Sequence, residues 1–193
     1  MRAITFDIES ISDSVVRGHI DVNEQELTVV AIHDSDTNEY SSYFREELPK
    51  LWPILERADI LIGFNSDAFD IPLLNRYYPG DLSYIRSLDL LSEVQKVLGR
   101  RIRLQSLAEA TLGRGKTGEG SKAGEWWKQG KRDEVAKYCI EDVRLTRDLY
   151  EYALKNGVLK YKDLRDIRDI KLDTSNWNSM SAAMPAMTHA FQL

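Results

Sequence analysis

Soft metal ligands are scarce in this sequence, which holds one cysteine, Cys139, and three scattered histidines, His19, His33 and His189. An internal disulfide framework and a thiolate or His-rich zinc centre are thereby excluded, which fits a reducing cytosol. Long apolar runs are also missing. The longest, such as Ile60–Ile62 and Val29–Ile32, fall far below the roughly 18 residues of a membrane span. Met1-Arg2-Ala3-Ile4 passes directly into a strand-like segment without a leader pattern, so a cytoplasmic location with no membrane partner is expected. A global basic field is absent too, since the formal charge is −5.

What is present is ordinary in amount and uneven in placement. Hydrophobic residues make up 42% and charged residues 30% of 193 positions, values that suit one globular domain rather than a disordered chain. Between Lys96 and Arg132 lie ten basic and three acidic residues, a net of +7, which leaves −12 for the rest of a chain at −5. Such asymmetry marks either a polyanion track beside an acidic, cation-demanding site or a solvated basic face.

Strand patterns occupy Arg2–Ile8, Leu27–His33 and Glu39–Phe44, the last two joined by the turn cluster Asp34–Asn38 as a hairpin. Glu46–Arg57 reads as a helix with Pro49 in its first turn. Asp59–Phe64 is a short apolar strand of the kind covered on both faces. A helix over Asp67–Tyr77 follows, then a strand at Ser87–Leu91 leading into a helix to Leu98, and a helix over Leu104–Leu112 stopped by Gly113. Gly113–Gly124 reads as a surface loop, and Arg132 to about Lys155 as the longest helix, ended by Asn156-Gly157. Val158–Tyr161 and Ile167–Leu172 are short strands. The expected division is a domain over residues 1–174 and a tail, 175–193, ordered only where it docks.

Three acidic groups stand out. Asp7 and Glu9 are two apart on a strand, so both carboxylates leave one face, toward a cation or a solvated edge. Gly63-Phe64-Asn65-Ser66-Asp67-Ala68-Phe69-Asp70 follows the carboxyl end of a buried strand, where α/β sheets hold ligands. Helix capping accounts for Ser66 and Asp67 but not for Asn65 or Phe69-Asp70. Tyr138 and Asp142 are i and i+4 on the long helix, about 40° apart around its axis, so the phenol lies over the carboxylate.

Taken together, FDIE (Phe6–Glu9), GFNSDAFD (Gly63–Asp70) and YCIED (Tyr138–Asp142) resemble the three exonuclease motifs of the DEDD superfamily, with the tyrosine of its DEDDy branch. The pattern is similar to the proofreading domains of family B polymerases and to stand-alone RNase H-like nucleases. GKTGEG, WWKQG and YCIEDVRLTRDLY also resemble a nuclease group found beside helicases. The resemblance covers residues 1 to about 155. It implies an RNase H-like α/β fold, a mixed five-stranded sheet flanked by helices.

By the same resemblance, Asp7, Glu9, Asp70 and Asp142 hold two divalent cations, and Tyr138 orients the attacking water. Hard oxygen ligands select Mg2+ or Mn2+ over zinc. A phenol with an ordinary pKa of about 10 is a poor free base, so activation falls to the metal. Asn65 and Phe69 are expected at the terminal nucleotides and the Ile8 backbone near the 3′ hydroxyl. The implied activity is 3′→5′ exonucleolytic hydrolysis of single-stranded nucleic acid, DNA favoured over RNA, to nucleoside 5′-monophosphates, with a helicase or polymerase as partner. The alternative is a non-catalytic nucleic-acid-binding or helicase-associated domain using the same groove.

Other motifs carry less. Ala110–Thr117 fits a loose P-loop pattern, but a helical segment stands where the motif needs a strand. The basic residues Arg114, Lys116 and Lys122 are instead expected to touch a nucleic-acid strand, the rival being a plain linker. Trp126 and Trp127 either stack on bases or pack in the core. Cys139, beside Tyr138, reads as a packed thiol without a base partner.

Overall fold

The computed structural model describes residues 1–12, 21–115 and 122–179. β1 (Ala3–Ile11), β2 (Glu26–Asp34) and β3 (Glu39–Phe44) form an antiparallel meander. β4 (Ile60–Gly63) and β5 (Ser87–Asp89) add in parallel beyond β1, giving the order β3-β2-β1-β4-β5. This is the mixed five-stranded sheet that the motifs implied. β1 lies at its centre and has α-helical cover on both faces, which places its side chains in the most protected part of the molecule.

α1 (Leu48–Leu55) and α2 (Asp70–Asn75) pack on one face against Ile4, Phe6, Ile8 and Leu61. α3 (Leu90–Leu98), α4 (Leu104–Leu112), α5 (Ala123–Lys128) and α6 (Arg132–Asn156) cover the other. α6 presents Val135, Cys139, Val143, Leu145 and Leu149 to the sheet, a stripe at helical spacing. Gly157, at φ +68°, ends it in the left-handed conformation that glycine adopts at little cost.

Several boundaries differ from the sequence pattern for local reasons. α1 begins at Leu48 because Arg45–Glu47 form a 3-10 turn. α2 begins at Asp70 rather than Asp67, after a turn in which Asn65 has φ +67°. The Gly/Lys-rich stretch gives way to α5 at Ala123, which is buried under the sheet-facing side of α6. Of the last two strands, β6 (Val158–Asp163) is longer than expected and β7 (Asp166–Lys171) starts one residue earlier, and the two form their own antiparallel hairpin. Leu159 and Ile170 tie that hairpin into the core. The Thr111 hydroxyl of α4 accepts from the Lys160 amide at 2.9 Å and donates to its carbonyl at 3.1 Å.

Beyond β7 the chain stays docked as far as Ser179. Trp177 is buried and stacks on Tyr150, with ring centroids 5.9 Å apart and planes 10° off parallel. The Tyr150 hydroxyl donates to Asn178 Oδ1 at 2.6 Å, and the Arg86 guanidinium donates to the carbonyls of Asn176 and Ser179. Lys116 and the end of the chain, 180–193, lie outside the described residues. Among the described residues, no helix is long and apolar enough to cross a membrane.

Trp177→Ala should lower stability by about 3 kcal/mol, the lower range for truncating a buried tryptophan. Urea unfolding of the full chain measures this. A loss below about 1 kcal/mol would show that the 173–179 segment adds nothing to the core.

Candidate active site

The alternation of β1 puts Ile4, Phe6 and Ile8 under α1 and α2, so Asp7 and Glu9 face α6. Their register partners on β2 are Ala31 and Val29, which pack against α6. A bulge follows directly between Glu9 and Ser10. The Thr28 hydroxyl donates to the Glu9 carbonyl at 2.8 Å beside it, fixing the strand where the two acids emerge.

α6 crosses this face and brings a third acid to it. Asp142 sits within the buried side of the helix, one turn beyond Tyr138. Ligand oxygens of Asp7, Glu9 and Asp142 lie within 4.8 Å of one another, a spacing that one cation can bridge. Cys139 lies beneath them, its thiol donating to the Asp7 carbonyl at 3.3 Å. Burial, reinforced by the Asp7, Glu9 and Asp142 carboxylates, pushes that thiol well above its ordinary range. It therefore stays protonated and serves as packing and donor rather than nucleophile.

The loop after β4 forms the next part. A Cβ on Gly63 would collide with the Ser66 side chain, so the tight exit from the strand requires glycine there. Asn65 takes a left-handed conformation that asparagine tolerates. Its amide donates to Asp89 Oδ1 at 2.7 Å, and its side-chain carbonyl accepts from Arg101 at 2.5 Å. Asp89 also caps α3, accepting from the Leu91 amide at 2.9 Å. One buried carboxylate thus joins the loop, the end of β5 and a helix N-terminus.

Asp70, at the start of α2, is set slightly apart from the three-acid cluster. Its Oδ1 accepts from the Ile8 amide at 3.1 Å, between Asp7 and Glu9 in sequence. Burial raises its pKa to about 7, with the nearby Asp89 and Asp142 charges adding to the rise and the amide hydrogen bonds opposing it.

A groove of about 800 Å³ opens over this arrangement. Asp7, Tyr138, Asp142, Phe64 and Asn65 line it, together with the Arg101–Gln105 segment. Of the other candidate contacts, Ile8 and Phe69 pack toward α1 and α2. Arg114 is paired with Asp148, and Lys122 precedes α5; neither lines the groove. Trp126 packs edge-on against Tyr138 and Trp127 lies near Phe44, so both tryptophans are engaged in packing. The residues that sequence reasoning passed over are Asp89, Phe64, Arg101 and Arg103. The two arginines lay within the basic stretch, but only the fold shows which of its charges reach the groove.

The raised Asp70 pKa has a defined sign for stability. In the unfolded chain this carboxyl titrates near 4, so the folded state binds its proton more tightly. The resulting stability is present below about pH 4 and is lost as pH rises through about 7. In chelator, the melting temperature of Asp70→Asn should therefore gain on the wild type between pH 4.5 and pH 8. An unchanged difference across that range would contradict the buried-acid account.

Comparison with known proteins follows the same lines. No functionally curated protein matches the sequence. A family B DNA polymerase from the hyperthermophilic archaeon Pyrobaculum calidifontis shares the fold with a TM-score of 0.61 and 22% identity. The alignment covers 79% of this chain and 24% of the polymerase chain, so the likeness is to one part of that protein. The model of the RNase_H superfamily matches residues 4–154, from the start of β1 almost to the end of α6. The chain belongs to the RNase H superfamily.

Proposed function

We propose that the chain is a metal-dependent 3′→5′ exonuclease of the DEDDy type, acting on single-stranded DNA or RNA and releasing nucleoside 5′-monophosphates. The observation that carries this reading is the meeting of Asp7, Glu9 and Asp142 within 4.8 Å on a half-buried face that opens into the groove. Three like charges so placed repel one another unless a cation shares them. Hard oxygen donors without His or accessible thiol suit Mg2+ or Mn2+. These residues fit a divalent ion, and the Asp142 charge reaches Asp70, whose pKa it helps to raise. Bound cations would supply water activation and relief of charge on the phosphorus.

The chain's own residues supply the rest. Tyr138 lines the groove one turn before Asp142, where its hydroxyl can hydrogen-bond and orient the attacking water. The amide of Ile8 holds Asp70, and that contact fixes α2 against β1. Asn65, clamped by Asp89 and Arg101, offers a polar group of fixed position on the groove wall. Phe64, Ile102 and Leu104 add an apolar surface against which bases or sugars can rest.

Incubation of 5′-labelled single-stranded DNA and RNA with Mg2+, Mn2+ or chelator tests the proposal. A ladder of shortening labelled products with metal, and none with chelator, is expected. Immediate release of labelled mononucleotide would reverse the direction, and binding without any cleavage would support a non-catalytic module. Asp7→Ala and Asp142→Asn should each abolish hydrolysis and weaken Mn2+ binding. Tyr138→Phe should cut turnover on the order of 10²-fold while leaving metal affinity nearly unchanged. Full activity of Tyr138→Phe across pH would make the tyrosine a packing residue.

A further inference from the structure

The β6–β7 hairpin lies beyond the residues that match the family model, which end at 154. The hairpin adjoins the segment that borders the groove. Arg101 and Arg103 line the groove, and neither has a carboxylate partner among the described residues. The preceding Arg100 lies over the ring of Tyr161 in β6, 5.4 Å from its centroid. Arg168 of β7 is the register partner of Tyr161, so it shares that face of the hairpin. A run of guanidinium groups thus leads from the groove, across an aromatic ring, to the hairpin.

The hairpin's tip continues this character. Val158–Lys171 carries five basic and three acidic residues, and one of the acids, Asp163, is already paired with Arg168 at 3.0 Å. Arg165 is exposed in the turn and Arg168 on the Tyr161 face, whereas Lys162, adjacent to Tyr161 in β6, lies on the opposite face. Leu164, 92% exposed at φ +56°, is the first residue of the two-residue turn between Asp163 and Asp166, a position where such hairpin turns take positive φ. The contacts between Thr111 and Lys160 hold the hairpin firmly on α4, whose first residues line the groove. The ridge is therefore rigid relative to the acidic site.

We propose that the Arg100–Arg103 segment and the β6–β7 hairpin form a binding track for the nucleic-acid strand upstream of the reacting end. The proposal rests on the nuclease reading above and assigns its substrate a minimum reach. The groove accommodates the terminal nucleotides, and the hairpin engages the phosphates several nucleotides further back. Arginine forks suit phosphate oxygens, and the Tyr161 ring offers a stacking platform beside them. Affinity should then grow with strand length until the hairpin is reached and level off beyond it.

The test uses the full chain with Ca2+ in place of Mg2+ and fluorescein-labelled single strands of four and twenty nucleotides. Arg165→Glu combined with Arg168→Glu should weaken binding of the twenty-nucleotide strand at least tenfold. The loss for the four-nucleotide strand should stay below threefold. The log–log salt slope for the long strand should fall by about 0.7 for each phosphate that the variant no longer neutralises. Arg165→Lys with Arg168→Lys keeps the charges and should retain most of that binding. Lys50→Glu combined with Arg57→Glu, on and just after α1 across the sheet, makes the same change in net charge away from the track and controls for it. Equal losses for both strand lengths, or an unchanged affinity for the long strand, would overturn the track. If the wild type cleaves strands while the tip variant binds them normally, only the hairpin assignment falls. If the wild type neither binds nor cleaves any strand, the nuclease reading falls with it.

Discussion

Mutual repulsion among Asp7, Glu9 and Asp142 is the constraint around which the molecule is arranged. Carboxylate oxygens within 4.8 Å of one another on a partly buried face oppose folding unless something holds them there. Two rigid elements do so. β1 is clamped between β2 and β4, and α6 is pressed onto the sheet by Val135, Cys139, Val143, Leu145 and Leu149. Neither element can relax the repulsion without giving up a large buried apolar surface. Burial of that apolar surface therefore holds the three acids at a spacing that one cation could share.

A second carboxylate works in the opposite sense. Asp89 is buried but well supplied with donors, taking the amides of Asn65 and Leu91 and, more distantly, that of Asp67. It turns the exit of β4 into a fixed shelf and delivers Asn65 to the groove while α2 starts at Asp70. The site thus contains a cluster of acids within reach of one cation and a separate acid that organises the loop beside it.

Much of this was legible in the sequence because period and spacing carry it. The i, i+2 pair on a strand and the i, i+4 pair on a helix each fix a face, and the order of strands and helices limits the sheet. The Leu104–Leu112 helix was delimited by its apolar spacing and Gly113. Less legible were features set by distant partners. Nothing local marks Asp89 as the anchor of a loop more than twenty residues earlier in the chain. The pairing of Val158–Asp163 with Asp166–Lys171 as a separate hairpin depends on α4, which offers Thr111 and covers Leu159. Arg101 and Arg103 were visible as charge, but their approach to the groove follows from the short link between α3 and α4. Trp177 stood in a segment whose composition suggested a tail, and its burial depends on the cluster around Tyr150 and on Arg86 holding the flanking carbonyls.

Anomalous diffraction from crystals of the full chain grown or soaked with Mn2+ addresses the central claim without relying on activity. The strongest anomalous peak is expected between the side chains of Asp7, Glu9 and Asp142, and it should vanish in Asp142→Asn. A saturating soak that leaves this position empty, or a strongest peak away from all three carboxylates, would contradict the account.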